Sequence, residues 1–420
     1  MFKLFTAIEI VIEIACGFEV VHKIKFYPVG NADCTLIKLS NGKTIIIDCQ
    51  IKEAFDEDGK QVCYDVKADL LKELKRDSDN HPFVDLYVST HPHDDHCIGF
   101  GDHFYHGKPE DYNDDQNELI IIGELWVTPY ALKNDVCDSA ADIRKEAKRR
   151  RTLYDQDNQY TGEYGNFLRI IGYDKDKEFD SRYGYIPGTL VKEVNGESLS
   201  WLEVFIHAPF KEDVEEAKEE SDKNAVSIVL QFAFSLKGKP DITKMLVGGD
   251  AEHQVWQHIL DNNQDGEKLA WDVFQTPHHC SWTFFNDTED KEHVLQSAED
   301  ILAKRRDDDG LIIASSNEIK NEKPNPPHYE AKVEYKKRLK RKSNFLNTAI
   351  HCVENDISQP IVLVVTDSGV QDRTANMSEK EAKGFAEALK SGALKIAKTG
   401  VLSLSVGKAI AASGGFYGKE

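Results

Sequence analysis

From His22 onward the chain is built of short apolar runs broken by turn residues. His22 to Val29, Thr35 to Leu39 and Thr44 to Ile47 read as strands, and Asn41-Gly42 between the last two is a strong hairpin signal, since both central residues of a tight turn accept positive φ. Val66 to Lys75 has helical spacing, and Phe83 to Ser89 is a buried strand that runs directly into His91. Further apolar strands are predicted at Leu119 to Ile122, Ser227 to Phe234, Met245 to Val247, Val273 to Gln275, Leu311 to Ala314 and Ile361 to Val365. Several of them share a habit: metal-competent polar residues sit just past the strand end, where a rigid element hands over to a variable loop. Alternation around Ile8, Ile10, Ile12 and Ile14 suits an extra strand or a short helix.

Between Gly101 and Val204 the chain is charged and Tyr-rich with weak periodicity, which reads as an insertion. Inside it, Ser139 to Leu153 looks helical and carries Arg144, Lys145, Lys148, Arg149, Arg150 and Arg151; a second basic run spans Lys332 to Lys342. After Gln371 the composition shifts to Ala, Lys and Gly, with an amphipathic helix expected from Ser378 to Lys390. At 420 residues the chain exceeds what one core usually organises, about 250 to 300 residues. The expected organisation is an N-terminal extra segment over 1–21, a domain over 22–370 with the insertion at about 101–204, and a C-terminal extension over 371–420.

Composition narrows the class. With 40% hydrophobic, 10% aromatic and 30% charged residues the chain can fill a core, which excludes collagen, a coiled-coil rod and wholesale disorder. A net charge of −21 repels polyanions, so a nucleic-acid partner would need a local basic patch or bound cations. The eight cysteines are scattered without a C-x-x-C pair, a usage that fits a reducing, cytoplasmic setting. Glu9, Glu13 and Glu19 interrupt the apolar run at the start, so neither a signal peptide nor a membrane span is expected, and no membrane partner.

The decisive segment is Ser89-Thr90-His91-Pro92-His93-Asp94-Asp95-His96, immediately after a strand. Imidazoles and carboxylates are the ligands that hard or borderline divalent ions take, and four of them within six residues can face two adjacent cations only from a tight loop. Further ligands follow in order. Gly248-Gly249-Asp250 ends a strand, where the glycines permit close backbone approach and the carboxylate could bridge two ions. Pro277-His278-His279 ends another.

This set of motifs resembles the metallo-β-lactamase superfamily, in particular the hydrolase domain of the ComEC/Rec2 competence proteins. The likeness runs from Lys23 to about Gly369 and takes in Val29-Gly30-Asn31-Ala32-Asp33, Ile47-Asp48, His91 to His96, Asn224 to Leu230, Gly249-Asp250, His278-His279, and the downstream Ser315-Ser316 and His328. It implies an α/β fold, an αββα sandwich with a large insertion and a C-terminal extension. It makes His91 and His93 ligands of a first metal, Asp95 and His96 ligands of a second, and Asp250 the bridge. His278 would complete the second site and His279 would contact substrate, with the reverse assignment open; Asp48 would orient the histidine loop. Where such domains commonly have glycine, this chain has Asn31, Gln50 and Cys280, and a packed small hydrophobe is the expected role of Cys280. His207, after the strand Glu203 to Ile206, is a candidate third ligand of the first metal or else a buried structural histidine.

The cofactors so implied are two divalent ions, zinc or manganese, about 3.5 to 4 Å apart, which lower the pKa of a bridging water toward ~7; Asp95 or Asp250 could take the remaining proton. Three functions follow. The first is a metal-dependent phosphodiesterase, specifically a nuclease acting on DNA or RNA, with Arg144, Lys148 and Arg151 on one helix face as substrate contacts. The second is a hydrolase of a small phosphodiester, ester or lactone. The third is a non-catalytic, metal-bearing module that binds a protein partner.

Overall fold

Ile45, Ile46 and Ile47 are all buried, which demands apolar packing on both faces of the strand that carries them. Ile45 and Ile47 enter one core and Ile46 another. In the computed structural model, which describes residues 21–112, 118–133, 137–174, 177–219, 223–263, 266–288, 291–322 and 326–374, that strand belongs to a large mixed sheet.

The first half of the chain runs β1 (His22–Phe26), β2 (Thr35–Lys38), β3 (Thr44–Ile47), α1 (Val66–Glu73), β4 (Pro82–Val88), α2 (Asp94–Cys97), β5 (Ile120–Val127), α3 (Ala141–Asp155) and β6 (Phe167–Ile171). The second half runs β7 (Leu202–Ala208), α4 (Lys211–Glu219), β8 (Val229–Leu236), β9 (Lys239–Val247), α5 (His253–Asn262), β10 (Val273–Gln275), α6 (Gln296–Ala303), β11 (Leu311–Ala314), α7 (Tyr329–Arg338), β12 (Phe345–Asn347), β13 (Ile361–Thr366) and β14 (Gly369–Asp372), with shorter pieces between. The larger sheet orders as β6-β5-β4-β3-β2-β1-β13-β14, and the smaller as β7-β8-β9-β10-β11-β12. Each sheet is antiparallel on one side and parallel on the other: β3-β4-β5-β6 and β9-β10-β11-β12 are the parallel runs. Parallel neighbours need crossovers, and the helices supply them.

The chain is therefore mixed α/β. Ile24, Ile47, Val88, Phe232, Val247 and Leu363 come from both sheets into one shared core. The opposite face of the larger sheet packs Leu36, Ile46 and Ile122 against Leu70 of α1 and Ile143 and Ala147 of α3. On the far face of the smaller sheet Phe274 and Ile312 meet Trp256 of α5, Ile301 of α6 and Tyr335 of α7.

Three expectations need adjustment, and two fall outside the described residues. At Asn41-Gly42 only Gly42 has positive φ, +80°, while the Asn41 side chain accepts from the Lys43 N–H in a longer, five-residue connection. The segment expected as an insertion, 101–204, supplies β5 and β6, because all eight residues of β5 are apolar or paired and complete the large sheet beside β4. The extra segment over 1–21 lies outside the described residues except for Val21, and so does the extension beyond Thr374, including Ser378 to Lys390. Within α3 two of the cations turn inward, while Lys145 and Lys148 stay exposed. Arg150 is 1% exposed, pairs with Glu146 at 2.7 Å and donates to the carbonyls of Ile122, Gly123 and Phe167; Arg149 also takes Glu146.

Removing one partner from such a buried pair strands the other. Arg150→Ala is expected to cost about 3 to 5 kcal/mol of stability, whereas Lys145→Ala on the exposed face stays within about 0.5 kcal/mol of the native protein. Urea midpoints of the two variants check the contrast; equal midpoints would mean that Arg150 is not the anchor of α3.

Candidate metal centre

Four strand ends deliver the site, each at the carboxyl end of a parallel strand, where open α/β sheets gather ligands. β3 ends in Asp48, β4 runs into the histidine loop and α2, and β9 and β10 run into Asp250 and the two adjacent histidines. Asp48, fully buried with φ +54°, organises the loop. Its Oδ1 accepts the Thr90 N–H at 2.7 Å, and its Oδ2 accepts the Thr90 hydroxyl at 2.6 Å and faces His96 Nδ1 at 2.8 Å. Holding Nδ1 in this way turns Nε2 of His96 inward, the usual role of a carboxylate behind a ligating histidine.

Gly249 is required where it stands. With φ +49°, a Cβ there would meet Thr90 Oγ1 at 2.9 Å and Ser227 Cβ at 3.3 Å. The next residue, Asp250, is 1% exposed and donates its N–H to Ser227 Oγ at 3.1 Å. Its two oxygens point to different imidazoles. Oδ1 lies 3.0 Å from His96 Nε2 and 3.8 Å from His279 Nε2; Oδ2 lies 3.7 Å from both His91 Nε2 and His278 Nε2.

Two groups of atoms have the spacing of a metal shell: Asp33, His96, Asp250 and His279, and His91, His93 and Asp250, with the ligand atoms of each group within 4.8 Å of one another. Both can hold a metal ion. The fit is supported by two orphans, since His96 Nε2 and Asp250 Oδ1 are buried, 3.0 Å apart and misaligned for a hydrogen bond to each other or to any other partner. A buried lone pair without a donor is costly, and a cation between the two satisfies both.

Most of the expected residues converge. His91, His93, His96 and Asp250 do so, and Asp95 faces His279 Nε2 through Oδ2 at 3.1 Å. It is His279, not His278, that joins His96. His278, His279 and Cys280 all have positive φ, 48°, 52° and 67°, and this left-handed turn swings the second ring inward. His278 stays at the rim, 22% exposed, with Nδ1 3.5 Å from Glu252 Oε1. Cys280 is buried among the apolar residues beneath α5 and α7, as a small hydrophobe.

Among the described residues His207 belongs to neither group and takes the structural role. Its Nε2 lies 2.8 Å from the Lys268 carbonyl oxygen and its Nδ1 3.0 Å from Asn263 Nδ2, so both nitrogens serve the packing of β7. On the face of α3 expected to meet substrate, Arg144 donates to the Lys133 carbonyl, Arg151 pairs with Asp155 and lies over the rings of Phe179 and Tyr183, and Lys148 is exposed. Asp33 was missed as a site residue. It is 4% exposed, accepts from Gln275 Nε2 at 2.8 Å and lies 3.9 Å from His279 Nδ1; burial pushes its carboxyl up to about 6 against the pull of His279 and His96. Its presence in Val29 to Asp33, ahead of the hairpin, was the available signal.

No protein-family model matches the chain, and no curated protein matches it. Among the described residues no helix is long and apolar enough to cross a membrane.

Burial opposes a charge on His96 and His279, yet Asp250 and Asp48 around the first, and Asp250, Asp95 and Asp33 around the second, outweigh it and raise both pKa values. A metal must displace those protons. Zinc binding at pH 7 is therefore expected to release protons and to weaken as pH falls; calorimetry in buffers of different ionisation enthalpy checks this, and heats independent of buffer would contradict it.

His207 gives a second pH dependence. Burial lowers its pKa to about 4 from an ordinary 6.5, so its contribution to stability is complete above 6.5 and disappears as pH falls toward 4. The loss amounts to up to about 3 kcal/mol. His207→Gln should show a correspondingly flatter stability profile between pH 7 and 4; parallel profiles would show that His207 does not titrate this way.

Proposed function

We propose that the protein is a metal-dependent hydrolase of phosphodiester bonds, built on the αββα sandwich of the metallo-β-lactamase superfamily. The observation that carries the proposal is the division of the Asp250 carboxylate, one oxygen toward His96 and His279 and the other toward His91. This supports two divalent ions bridged by one carboxylate, and an all-nitrogen and oxygen donor set suits zinc or manganese. The layering, two sheets sharing a core with helices against both outer faces, is what such a sandwich needs.

Bound there, the ions would supply a Lewis acid and a water that ionises near neutral pH. The chain does the rest. Asp48 fixes the tautomer and direction of His96. Asp95, with a side chain 35% exposed, presents a carboxylate toward the opening; burial opposes its charge, but the hydrogen bond from His279 to Oδ2 and the charge of His96 hold it well below the usual carboxylate range, so it stays ionised and can orient a water or a cation there. His278 and Glu252 line the rim next to Asp250 and can orient a leaving group.

Between the phosphodiester substrates, a small one is favoured over nucleic acid. The basic helix spends Arg149 and Arg150 on the buried Glu146, and a chain of net charge −21 repels a polyanion. The test is to incubate zinc- or manganese-loaded protein with a chromogenic phosphodiester, single- and double-stranded DNA, RNA and a lactone. Turnover of the small phosphodiester is expected, falling at least about 100-fold in Asp250→Ala and in Asp95→Ala with the circular dichroism spectrum retained. Undiminished turnover in Asp250→Ala would remove the bridge, and metal uptake without turnover of any substrate would favour the non-catalytic module.

A further inference from the structure

Two thiols meet beneath the histidine loop. Cys97, the last residue of α2, is fully buried with Sγ 3.8 Å from the His91 carbonyl oxygen. Cys137, on the segment leading into α3, is half-buried with Sγ 3.3 Å from the carbonyl oxygen of Pro92. Each S–H gives its one proton to a loop carbonyl, and the turn Asp138–Ala140 that follows Cys137 packs against α2, which keeps the two side chains close enough to interact. Two successive peptide groups of the loop that carries His91 and His93 thus rest on one dithiol. Of the cysteines under this loop, Cys34, Cys49 and Cys97 are buried, so Cys137 is the one an oxidant in solution reaches.

We propose that Cys97 and Cys137 form a redox modification site at which a peroxide makes a disulfide that loosens the histidine loop and lowers its affinity for metal. The sulfur of Cys137 attacks one peroxide oxygen, the O–O bond breaks, and a sulfenic acid and one water result. The sulfur of Cys97 then attacks the sulfenic sulfur; the S–S bond forms, the S–O bond breaks, and the thiol proton leaves with the hydroxyl as a second water. The two sulfurs together lose two electrons, which the peroxide takes up. The product has no S–H, so the thiol support of the His91 and Pro92 carbonyls is gone. Formation of the bond also draws the end of α2, a single turn carrying Asp95 and His96, toward Cys137. The consequence for metal rests on the metal-centre reading above; the bond itself does not.

The experiment treats the full chain, with and without zinc, with hydrogen peroxide, alkylates the remaining thiols and maps cross-linked peptides by mass spectrometry. Zinc affinity is read by competition with a chromophoric chelator, and loop mobility by hydrogen exchange over 89–97. A Cys97–Cys137 cross-link is expected, with faster exchange in the loop and a fall in zinc affinity of about tenfold or more, all reversed by a thiol reductant and absent in Cys137→Ser. Cross-links between other cysteines, oxidation of Cys137 that stops at a sulfinic acid, or a Cys97–Cys137 cross-link that leaves exchange and affinity unchanged would each overturn the proposal. If the reduced protein binds no zinc, the metal-centre reading fails, while the peptide map and the exchange data still decide the thiol site.

Discussion

A carboxylate buried where two sheets meet loses its hydration, and only cations or hydrogen bonds can replace it. Asp250 is in that position. Its backbone N–H is tied to Ser227, and its two oxygens are surrounded by the imidazoles of His91, His96, His278 and His279. Four strand ends from two sheets must converge to bring those groups together. The strain at His278 to Cys280 and the close approach of Gly249 to Thr90 are local costs of that convergence.

The parallel halves of the sheets explain why convergence falls where it does. In a parallel run every strand ends on the same side, so β3, β4, β9 and β10 all deliver their following residues to one edge. Apolar side chains on both faces hold those ends rigid, and the loops beyond them are free of packing duties. Asp48 then couples the ends of β3 and β4 through Thr90 and His96, and the His278 N–H couples β10 to β9 by donating to the Gly249 carbonyl at 3.0 Å.

Much of this was legible in the sequence because strand-end chemistry is local. The runs leading into Asp48, His91 and Asp250 announce both the strand and the residue that follows it, and the structure brings those side chains together. What was not legible depends on relations that periodicity does not carry. Which of His278 and His279 enters the site is set by three left-handed residues in a row, a backbone choice with no glycine to mark it. Asp33 lies on the connection between β1 and β2 and is held by Gln275 of β10, a pairing of distant segments. In α3, spacing placed cations on a face but did not say that Glu146 would draw Arg150 inward, where three carbonyls take its remaining N–H groups. His207, expected just past a strand, lies inside β7, and its partners, Lys268 and Asn263, lie elsewhere in the chain.

The central claim is that one carboxylate serves two ions. Elemental analysis after loading with zinc or manganese and removal of free metal tests it directly. The account predicts about two ions per chain in the native protein and fewer than about one in Asp250→Ala, since a lost bridge weakens both sites. A native protein that takes up no metal, or an Asp250→Ala variant that retains two ions, would contradict it.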